Sequence, residues 1–153
     1  MTWAEIITVK KAQYCRCLDT KQWDQLESLM LPDARLSFLD TEGKTFSARG
    51  VRYLFNSPRE FTQTMREVFS SARTSHSVTN PELELVSDRE ASAIWAMRDC
   101  IVFPPVGGIL PVSMHGYGHY FETWKRVGED WFLSDLELRR TIIDLSYLAR
   151  LFS

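Results

Sequence analysis

The spacing of apolar residues changes from helical to strand-like about halfway along the chain. In the first part, apolar side chains recur at steps of three and four, which is typical of a helix with one buried face. This pattern predicts a helix over residues 3–19 and a second short helix that Thr20 caps and Pro32 ends. A short strand over 34–39 and a turn at 42–44 are expected to follow.

The clearest start of a helix lies at Ser57-Pro58-Arg59-Glu60. This segment has the form of a capping box, with proline at the first helical position, where its missing N–H does no harm. The next residues form one apolar stripe at spacings i, i+4, i+7 and i+8, namely Phe61, Met65, Val68 and Phe69. Residues 49–55, just before this helix, are expected to add one or two helical turns.

Alternating apolar and polar residues in the second half of the chain predict four strands. They cover 74–86 (broken or bulged at Asn80-Pro81), 91–103, 113–126 and 131–143. The last two indicate a hairpin joined at 128–130, and an apolar segment at 145–152 has helical spacing. Helices followed by long strands, with no repeat or linker between them, predict a single α+β domain over residues 1–153.

Composition and charge narrow the class of protein. The chain has 153 residues, with 18 Lys and Arg against 20 Asp and Glu, and a net charge of −2. A surface that binds nucleic acid needs clustered positive charge, which this balance does not favour. No apolar stretch is long enough to cross a membrane, no secretory signal is apparent, and the three cysteines form no disulfide framework. A cytoplasmic protein without nucleic-acid or membrane partners is therefore expected.

One carboxylate interrupts the apolar face of the predicted strand 91–103. Alternate positions of that strand are Ala91, Ala93, Trp95, Met97, Asp99, Ile101 and Phe103. A buried, unpaired carboxylate is costly, so Asp99 needs a cationic or hydrogen-bonding partner if the alternation holds. The alternative is a bulge or register slip that turns Asp99 outward.

His76 is one candidate partner for Asp99, because a hairpin between the first two strands would place the two side by side. A carboxylate next to an imidazole fixes its tautomer and favours its use as a general base. The alternative is a core histidine that only satisfies the backbone. Arg139 and Arg140 close the last strand, and alternation turns one of them inward. That arginine would be a counter-ion or a ligand clamp, or else form a salt bridge at the rim.

No metal site is predicted. His115 and His119 have the spacing of a helical metal site, but on a strand such residues lie about 13 Å apart. Gly116 and Gly118 indicate a curved strand or a close backbone approach to a cavity. Four tryptophans are expected in the core: Trp23, Trp95, Trp124 and Trp131.

These residues, taken in order over nearly the whole chain, resemble the SnoaL-like branch of the nuclear transport factor 2-like superfamily. The most specific piece is Asp19-Thr-Lys-Gln-Trp-Asp-Gln-Leu26, and single residues carry the rest: Tyr14, His76, Tyr120, Trp131 and Arg139. Within that branch the chain is most similar to scytalone dehydratase and bile-acid 7α-dehydratase relatives. The resemblance implies a cone-shaped, curved antiparallel sheet packed with N-terminal helices (an NTF2-like, cystatin-like α+β barrel) around one deep apolar pocket.

The resemblance also implies roles for individual residues. His76 would be the general base, Asp99 its partner and Tyr14 the donor to an enolate oxygen, while Asp19 would hold a water, the histidine or the tyrosine. Residues expected to bind the substrate are Arg139, Trp95, Tyr120, Met97 and Phe55. Where scytalone dehydratase has a tyrosine immediately before the aspartate, this chain has Leu18, so the bile-acid-type set fits better.

The expected function is a cofactor-independent dehydratase or isomerase, a hydro-lyase that acts by proton transfer. Its substrate would be a small hydrophobic hydroxy-carbonyl compound of polyketide, aromatic or steroid type. The same fold also serves as a non-catalytic ligand-binding module or an oxygenase partner subunit, which is the second interpretation. A third is an epoxide hydrolase with an Asp-Arg-Asp relay from Asp19, Arg139 and Asp99. The resemblance further implies a homo-oligomer, either a trimer or a dimer.

Overall fold

The computed structural model describes residues 1–105 and 112–146, which form three helices and eight strands. The helices are α1 (Trp3–Asp19), α2 (Trp23–Ser28) and α3 (Pro58–Val68). The strands are β1 (Met30–Leu39), β2 (Ser47–Ala48), β3 (Val51–Arg52), β4 (Leu54–Phe55), β5 (Arg73–Ser87), β6 (Glu90–Phe103), β7 (Val112–Val127) and β8 (Asp130–Leu145). The predicted α+β class is confirmed.

Helix α1 has the predicted boundaries because both of its ends are capped. The Thr2 hydroxyl accepts a hydrogen bond from the Glu5 N–H (3.2 Å), and the Glu5 carboxylate accepts one from the Thr2 N–H (2.7 Å). Thr20 lies at the C-terminal cap of α1, so its predicted position at the start of α2 is wrong. Helix α2 begins after Gln22, since the left-handed backbone of Lys21 (φ 58°) separates the two helices.

Strand β1 begins earlier than predicted, at Met30, and it contains Pro32. The prediction that this proline ends a helix is therefore wrong. Pairing between β1 and β8 is irregular between Met30 and Arg35. Because proline cannot donate to a ladder, it is tolerated in this part of the strand.

Residues 49–55 form short strands and not the predicted helical turns. Strands β2 and β3 form a hairpin in which Ala48 pairs with Val51. The two-residue loop Arg49-Gly50 has positive φ at both positions, 52° and 79°. This is the signature of a type I′ turn, which reverses the chain and excludes a helix. The predicted start of α3 is confirmed, since the Ser57 hydroxyl accepts the Glu60 N–H at 3.1 Å.

Six strands form one curved sheet in the order β4-β1-β8-β7-β6-β5. Neighbouring strands are antiparallel except for β1 and β8, which run parallel, so the sheet is mixed at this one pair. The four strands predicted in the second half of the chain are confirmed, and they pair in chain order. The predicted bulge in β5 lies between Thr79 and Glu82, where Asn80 has a φ of 49°.

The core lies between the sheet and the helices. Helix α1 contacts β5 and β8, and α3 contacts β1. The inward face predicted for β6 is confirmed, because alternate residues from Ala91 to Ile101 are buried, Asp99 among them. The four tryptophans are buried as predicted: Trp23, Trp95, Trp124 and Trp131. Within the described ranges, no helix is long and apolar enough to cross a membrane. The helix predicted at 145–152 falls mostly outside these ranges, and Leu145 itself belongs to β8.

Candidate active site

His76 and Asp99 lie opposite each other on neighbouring strands. The register of β5 and β6 pairs the two residues, as the sequence predicts. Their side chains are 6% and 2% exposed, and His76 Nε2 lies 3.7 Å from Asp99 Oδ2. This distance is too long for a hydrogen bond. Asp99 is therefore adjacent to the histidine but does not hold its ring.

Asp19, the last residue of α1, holds the His76 ring instead. His76 Nδ1 lies 2.7 Å from Asp19 Oδ1, and Asp19 Oδ2 accepts the His76 backbone N–H at 2.9 Å. The Thr74 hydroxyl donates to Asp19 Oδ1 at 2.9 Å. When Nδ1 carries the proton and donates to this carboxylate, Nε2 is the basic nitrogen, and it lies on the side of Asp99.

Asp99 forms a bidentate ion pair with Arg140 of β8. Arg140 Nη1 donates to Asp99 Oδ1 at 3.0 Å, and Nη2 donates to Oδ2 at 2.8 Å. Burial by itself raises the pKa of Asp99, but the hydrogen bonds and charge of Arg140 hold that pKa below its ordinary value. For Arg140, burial lowers the pKa of the guanidinium, but its hydrogen bonds to Asp99 and the charge of that carboxylate raise it. The net effect is a raised pKa. Both groups are therefore charged at neutral pH.

Arg139, which the resemblance assigned to substrate binding, points away from this site. Its side chain is 54% exposed and donates to Glu137 at 2.6 Å. Strand β8 has one extra residue relative to β7 at Ser134. Odd-numbered residues of β8 face inward before this bulge, and even-numbered residues face inward from Leu136 to Arg140. Because a bulge reverses the alternation, Arg140 occupies the inward position that was predicted for Arg139.

Two glycines allow the Asp99–Arg140 pair to form across β7. A Cβ atom on Gly116 would overlap Arg140 Nη1 and Asp99 Oδ1, and one on Gly118 would overlap the Arg139 carbonyl oxygen. The contact at Gly116 is a close approach at a cavity wall, as the sequence predicts, whereas Gly118 lies against the backbone of β8.

Tyr14 of α1 and Tyr120 of β7 lie beside this ion pair. Their rings meet edge to face, with centroids 6.0 Å apart. The Tyr14 hydroxyl is buried and makes no well-formed hydrogen bond within residues 1–105 and 112–146. Burial raises the pKa of both phenols well above the ordinary value, and nearby acidic groups such as Asp99 raise it further. For Tyr14, an interaction with the Tyr120 hydroxyl acts in the opposite direction. Both tyrosines are therefore protonated, and Tyr14 can donate to a ligand.

A buried ion pair lies behind the two tyrosines. Lys11 and Glu122 are 1% and 0% exposed and form an ion pair of 2.5 Å. The Lys11 ammonium lies 4.0 and 3.6 Å from the centroids of the two tyrosine rings. Glu122 also accepts the indole N–H groups of Trp95 (2.8 Å) and Trp124 (3.0 Å). The network supports the tyrosine wall from the core side.

Neither member of this pair is among the site residues predicted from the sequence. The spacing along the chain does indicate that Lys11 faces inward, since it lies four residues after the buried Ile7 and three before the buried Tyr14. Glu122 likewise alternates with the buried residues Tyr120 and Trp124. Charged residues at inward positions of two facing elements predict a buried pair only when the elements are known to meet.

His76, the Asp99–Arg140 pair and the two tyrosines line a chamber of about 60 Å³. Four of the predicted site residues line it: Tyr14, His76, Asp99 and Tyr120. Asp19 supports His76 from behind, and the remaining wall is mostly apolar, with Leu18, Phe38, Tyr53 and Met114 among its residues.

Three predicted substrate-binding residues lie in the core beside the chamber and do not line it: Trp95, Met97 and Phe55. Trp95 is turned toward Glu122, and Phe55 packs on Phe61 at a centroid distance of 5.4 Å. The described residues contain no cluster of three or more His, Cys, Asp or Glu side chains that could hold a metal ion.

The curved six-stranded sheet packed against N-terminal helices is the fold of the NTF2-like class. The sequence profile of the SnoaL-like domain matches residues 4–137. The chain belongs to the SnoaL-like family of this class, as the resemblance indicated.

Comparisons with known proteins support this assignment. "Probable cyclase FGR4" from Gibberella zeae is 36% identical over 138 residues, which are 90% of each chain. The structure named "Putative Scytalone Dehydratase" from Novosphingobium aromaticivorans has a TM-score of 0.75 and 20% identity, covering 92% of this chain and 85% of that one. Hexachlorocyclohexane dehydrochlorinase LinA-type3 from Novosphingobium barchaimii has a TM-score of 0.73 and 19% identity, covering 94% and 90%. The two structural likenesses show the shared fold.

Proposed function

We propose that this chain is a cofactor-independent enzyme that transfers protons on a small hydrophobic hydroxy-carbonyl compound, as a dehydratase, isomerase or cyclase. The observation that carries the proposal is the orientation of His76, whose Nδ1 is held by Asp19 at 2.7 Å. This leaves Nε2 on the side of Asp99, next to a chamber that His76, Asp99 and Tyr14 line. The 36% identity with a relative named as a probable cyclase supports the same class of chemistry.

The first step is common to all three reactions. His76 Nε2 accepts a proton from the carbon next to the substrate carbonyl, and the electron pair of the broken C–H bond moves into the enolate. Tyr14 donates a hydrogen bond to the enolate oxygen as negative charge develops there. A positioned general base of this kind contributes about 10²–10⁴-fold to the rate.

The charges around His76 favour this step. With neutral His76, the carboxylates of Asp19 and Asp99 and the guanidinium of Arg140 leave one net negative charge. Proton uptake by His76 cancels that charge, so the imidazolium forms in a compensating environment. Asp99 Oδ2, at 3.7 Å from Nε2, stabilises the imidazolium without removing its proton.

The second step differs between the reactions, but His76 completes the proton cycle in each. In a dehydration, the enolate re-forms the carbonyl, a carbon–carbon double bond forms, and the β-hydroxyl leaves as water with the proton from His76. In a cyclisation, the enolate carbon forms a bond to a second carbonyl carbon of the same molecule, and the resulting alkoxide takes that proton. In an isomerisation, the proton returns to a different carbon.

The proposal can be tested without knowing the substrate. The probe is 2-tetralone, an apolar ketone, and the measurement is the exchange of its α-protons in D₂O followed by NMR. We expect the protein to accelerate exchange and His76→Ala to abolish the acceleration. The matched control is His119→Ala, because His119 is exposed on β7. Equal exchange by His76→Ala and the wild type, with the fold intact by circular dichroism, would remove His76 from the mechanism.

The alternative functions predict different results. A non-catalytic binding module would bind 2-tetralone without accelerating exchange, and an oxygenase partner subunit would require a larger partner chain to stay in solution. An enzyme of this kind is expected to form a homodimer or homotrimer by itself, which size-exclusion chromatography with light scattering would measure. An epoxide hydrolase using Asp19, Arg140 and Asp99 would open styrene oxide and keep that activity in His76→Ala.

A further inference from the structure

A second, larger chamber adjoins the one that His76 lines. Its volume is about 460 Å³, and its walls come from α3, the β2–β3 hairpin and the ends of β6, β7 and β8. The two chambers share five lining residues: Phe46, Tyr53, Phe69, Ile101 and Met114. The shared residues place the two chambers side by side, and we call the larger one the outer chamber and the one that His76 lines the inner chamber.

The sizes of the two chambers divide a ligand into two parts. The inner chamber, at about 60 Å³, has room for the reacting end of a molecule only. Sites for small organic ligands commonly have about 300–1,000 Å³, and the outer chamber falls in this range. Its wall is largely apolar, with Val68, Phe103 and Ile143 among its residues. An apolar body therefore fits the outer chamber.

Arg49 places a positive charge at this chamber. It occupies the first position of the β2–β3 turn with a φ of 52°, a conformation that asparagine and glycine adopt more readily. Its guanidinium carbon lies 5.5 Å from the centroid of the Phe103 ring, and the side chain lines the outer chamber. Among residues 1–105 and 112–146, no carboxylate forms an ion pair with it. Its charge is therefore available to a ligand.

Two arginine side chains act on Tyr53, which lies in the wall that the chambers share. Tyr53 lines both, and although burial raises the pKa of its hydroxyl, the charges of Arg140 and Arg49 both act to lower it. Arg140 is committed to Asp99, whereas Arg49 is exposed at the outer side. Glu67 also lines the outer chamber.

We propose that the outer chamber binds the apolar body of the substrate and that Arg49 recognises an anionic group, a carboxylate or a phosphate, on the same molecule. The substrate class is then an apolar acid that carries its hydroxy-carbonyl group at the end that reaches His76. The proposal rests on the proposed function, because it names the kind of molecule on which that site would act.

The test compares two probes of nearly equal size, 2-naphthoate and 2-naphthamide, by isothermal titration calorimetry. We expect the wild type to bind the carboxylate about fivefold more tightly than the amide, the range of one partly exposed charge pair. Arg49→Asn suits the left-handed turn and is expected to fold, and Arg49→Gly is a second such variant. Either should abolish the preference for the carboxylate. The matched control is Arg52→Asn, which removes the same charge from a residue of β3 that does not line the chamber, and it should keep the preference.

Two further variants locate the ligand and separate this proposal from the proposed function. Ala48→Trp fills the outer chamber and should weaken binding of both probes. His76→Ala should keep the preference for the carboxylate while it loses exchange of 2-tetralone. Equal affinities of the wild type for the two probes, or equal losses in the Arg49 and Arg52 variants, would overturn the recognition by Arg49 and leave the proton-transfer proposal standing. If the wild type does not accelerate exchange of 2-tetralone but still prefers the carboxylate probe, only the proton-transfer proposal would be overturned.

Discussion

Asp19 Oδ1 lies 2.7 Å from His76 Nδ1, although the two residues are 57 positions apart in the chain. The other oxygen of the same carboxylate accepts the His76 backbone N–H at 2.9 Å. One side chain at the end of α1 therefore fixes both the strand and the ring of the proposed base. This makes Asp19 a positioning residue, because it acts on the substrate only through His76.

Replacement of this carboxylate by an amide is expected to change the tautomer of His76. In Asp19→Asn, the amide oxygen satisfies the backbone N–H and the NH₂ group faces Nδ1, so that Nε2 carries the proton. We expect α-proton exchange of 2-tetralone to fall by about 10²-fold. The ¹⁵N shifts of the His76 ring should report the change of tautomer, which a merely structural role would not cause. Asp24→Asn, at an exposed position of α2, is the control. Unchanged exchange with an unchanged tautomer would contradict the assignment.

The two neighbouring arginines of β8 should differ strongly in their contribution to stability. Arg140→Met leaves the carboxylate of Asp99 buried without its partner, which typically costs about 3–5 kcal/mol. Arg139→Met removes an exposed ion pair with Glu137 and is expected to cost less than about 1 kcal/mol. Urea denaturation of both variants measures the difference. Similar losses in the two variants would show that the inward side chain has been assigned incorrectly.

The cost of Arg140→Met should depend on pH. In the folded protein Arg140 contributes to holding the pKa of Asp99 below its ordinary value of 3.8. A lowered pKa stabilises the fold at pH values above the unfolded pKa, and the contribution is lost as the pH falls through the folded pKa. The unfolded chains titrate alike at Asp99, so the stability difference between the wild type and Arg140→Met is largest near neutral pH. It shrinks as the pH falls from the pKa that burial raises in the variant to the lowered pKa of the wild type. A difference that stays constant from pH 7 to pH 3 would contradict the ion pair.

The buried pair behind the tyrosines should show strong coupling in a double-mutant cycle. Lys11→Met leaves the Glu122 carboxylate buried without its cation, and we expect a loss of about 3–5 kcal/mol. Adding Glu122→Gln removes the unpaired charge and keeps an acceptor for the indole groups, so the double variant should be more stable than Lys11→Met. The exposed pair of Lys44 and Glu42 provides the matched cycle, for which a coupling near zero is expected. Additive losses at Lys11 and Glu122 would contradict the pair.

Stability should fall in alkaline solution because of two buried tyrosines and one half-buried tyrosine. Burial raises the pKa values of Tyr14, Tyr53 and Tyr120 above the ordinary value of 10.0. Above that pH the unfolded chain loses phenolic protons that the folded chain keeps, so the free energy of unfolding decreases as the pH rises. Urea denaturation at pH 8 and pH 11 measures the decrease. It should be smaller in Tyr14→Phe and unchanged in the exposed control Tyr117→Phe. Equal decreases in the two variants would contradict this origin.

The sequence by itself determined the parts of the fold that depend on local spacing. The capped ends of α1, the start of α3 at Ser57 and the alternation of β6 are properties of neighbouring residues. Short-range periodicity therefore predicted that Asp99 faces inward, and a hairpin between consecutive strands was enough to place His76 beside it. Similarity along the chain identified the family and four of the residues that line the chamber.

Only the tertiary structure decided which partners these groups take. The end of α1 packs on β5, and this long-range contact gives His76 to Asp19, whereas the sequence favoured Asp99. One extra residue at Ser134 reverses the alternation of β8 and turns Arg140 inward, and nothing in the local pattern marks that residue as unpaired. Lys11 and Glu122 likewise meet because two segments far apart in the chain, α1 and β7, pack together. A side chain's own segment sets the direction in which it points, but the group that it meets depends on how distant segments pack.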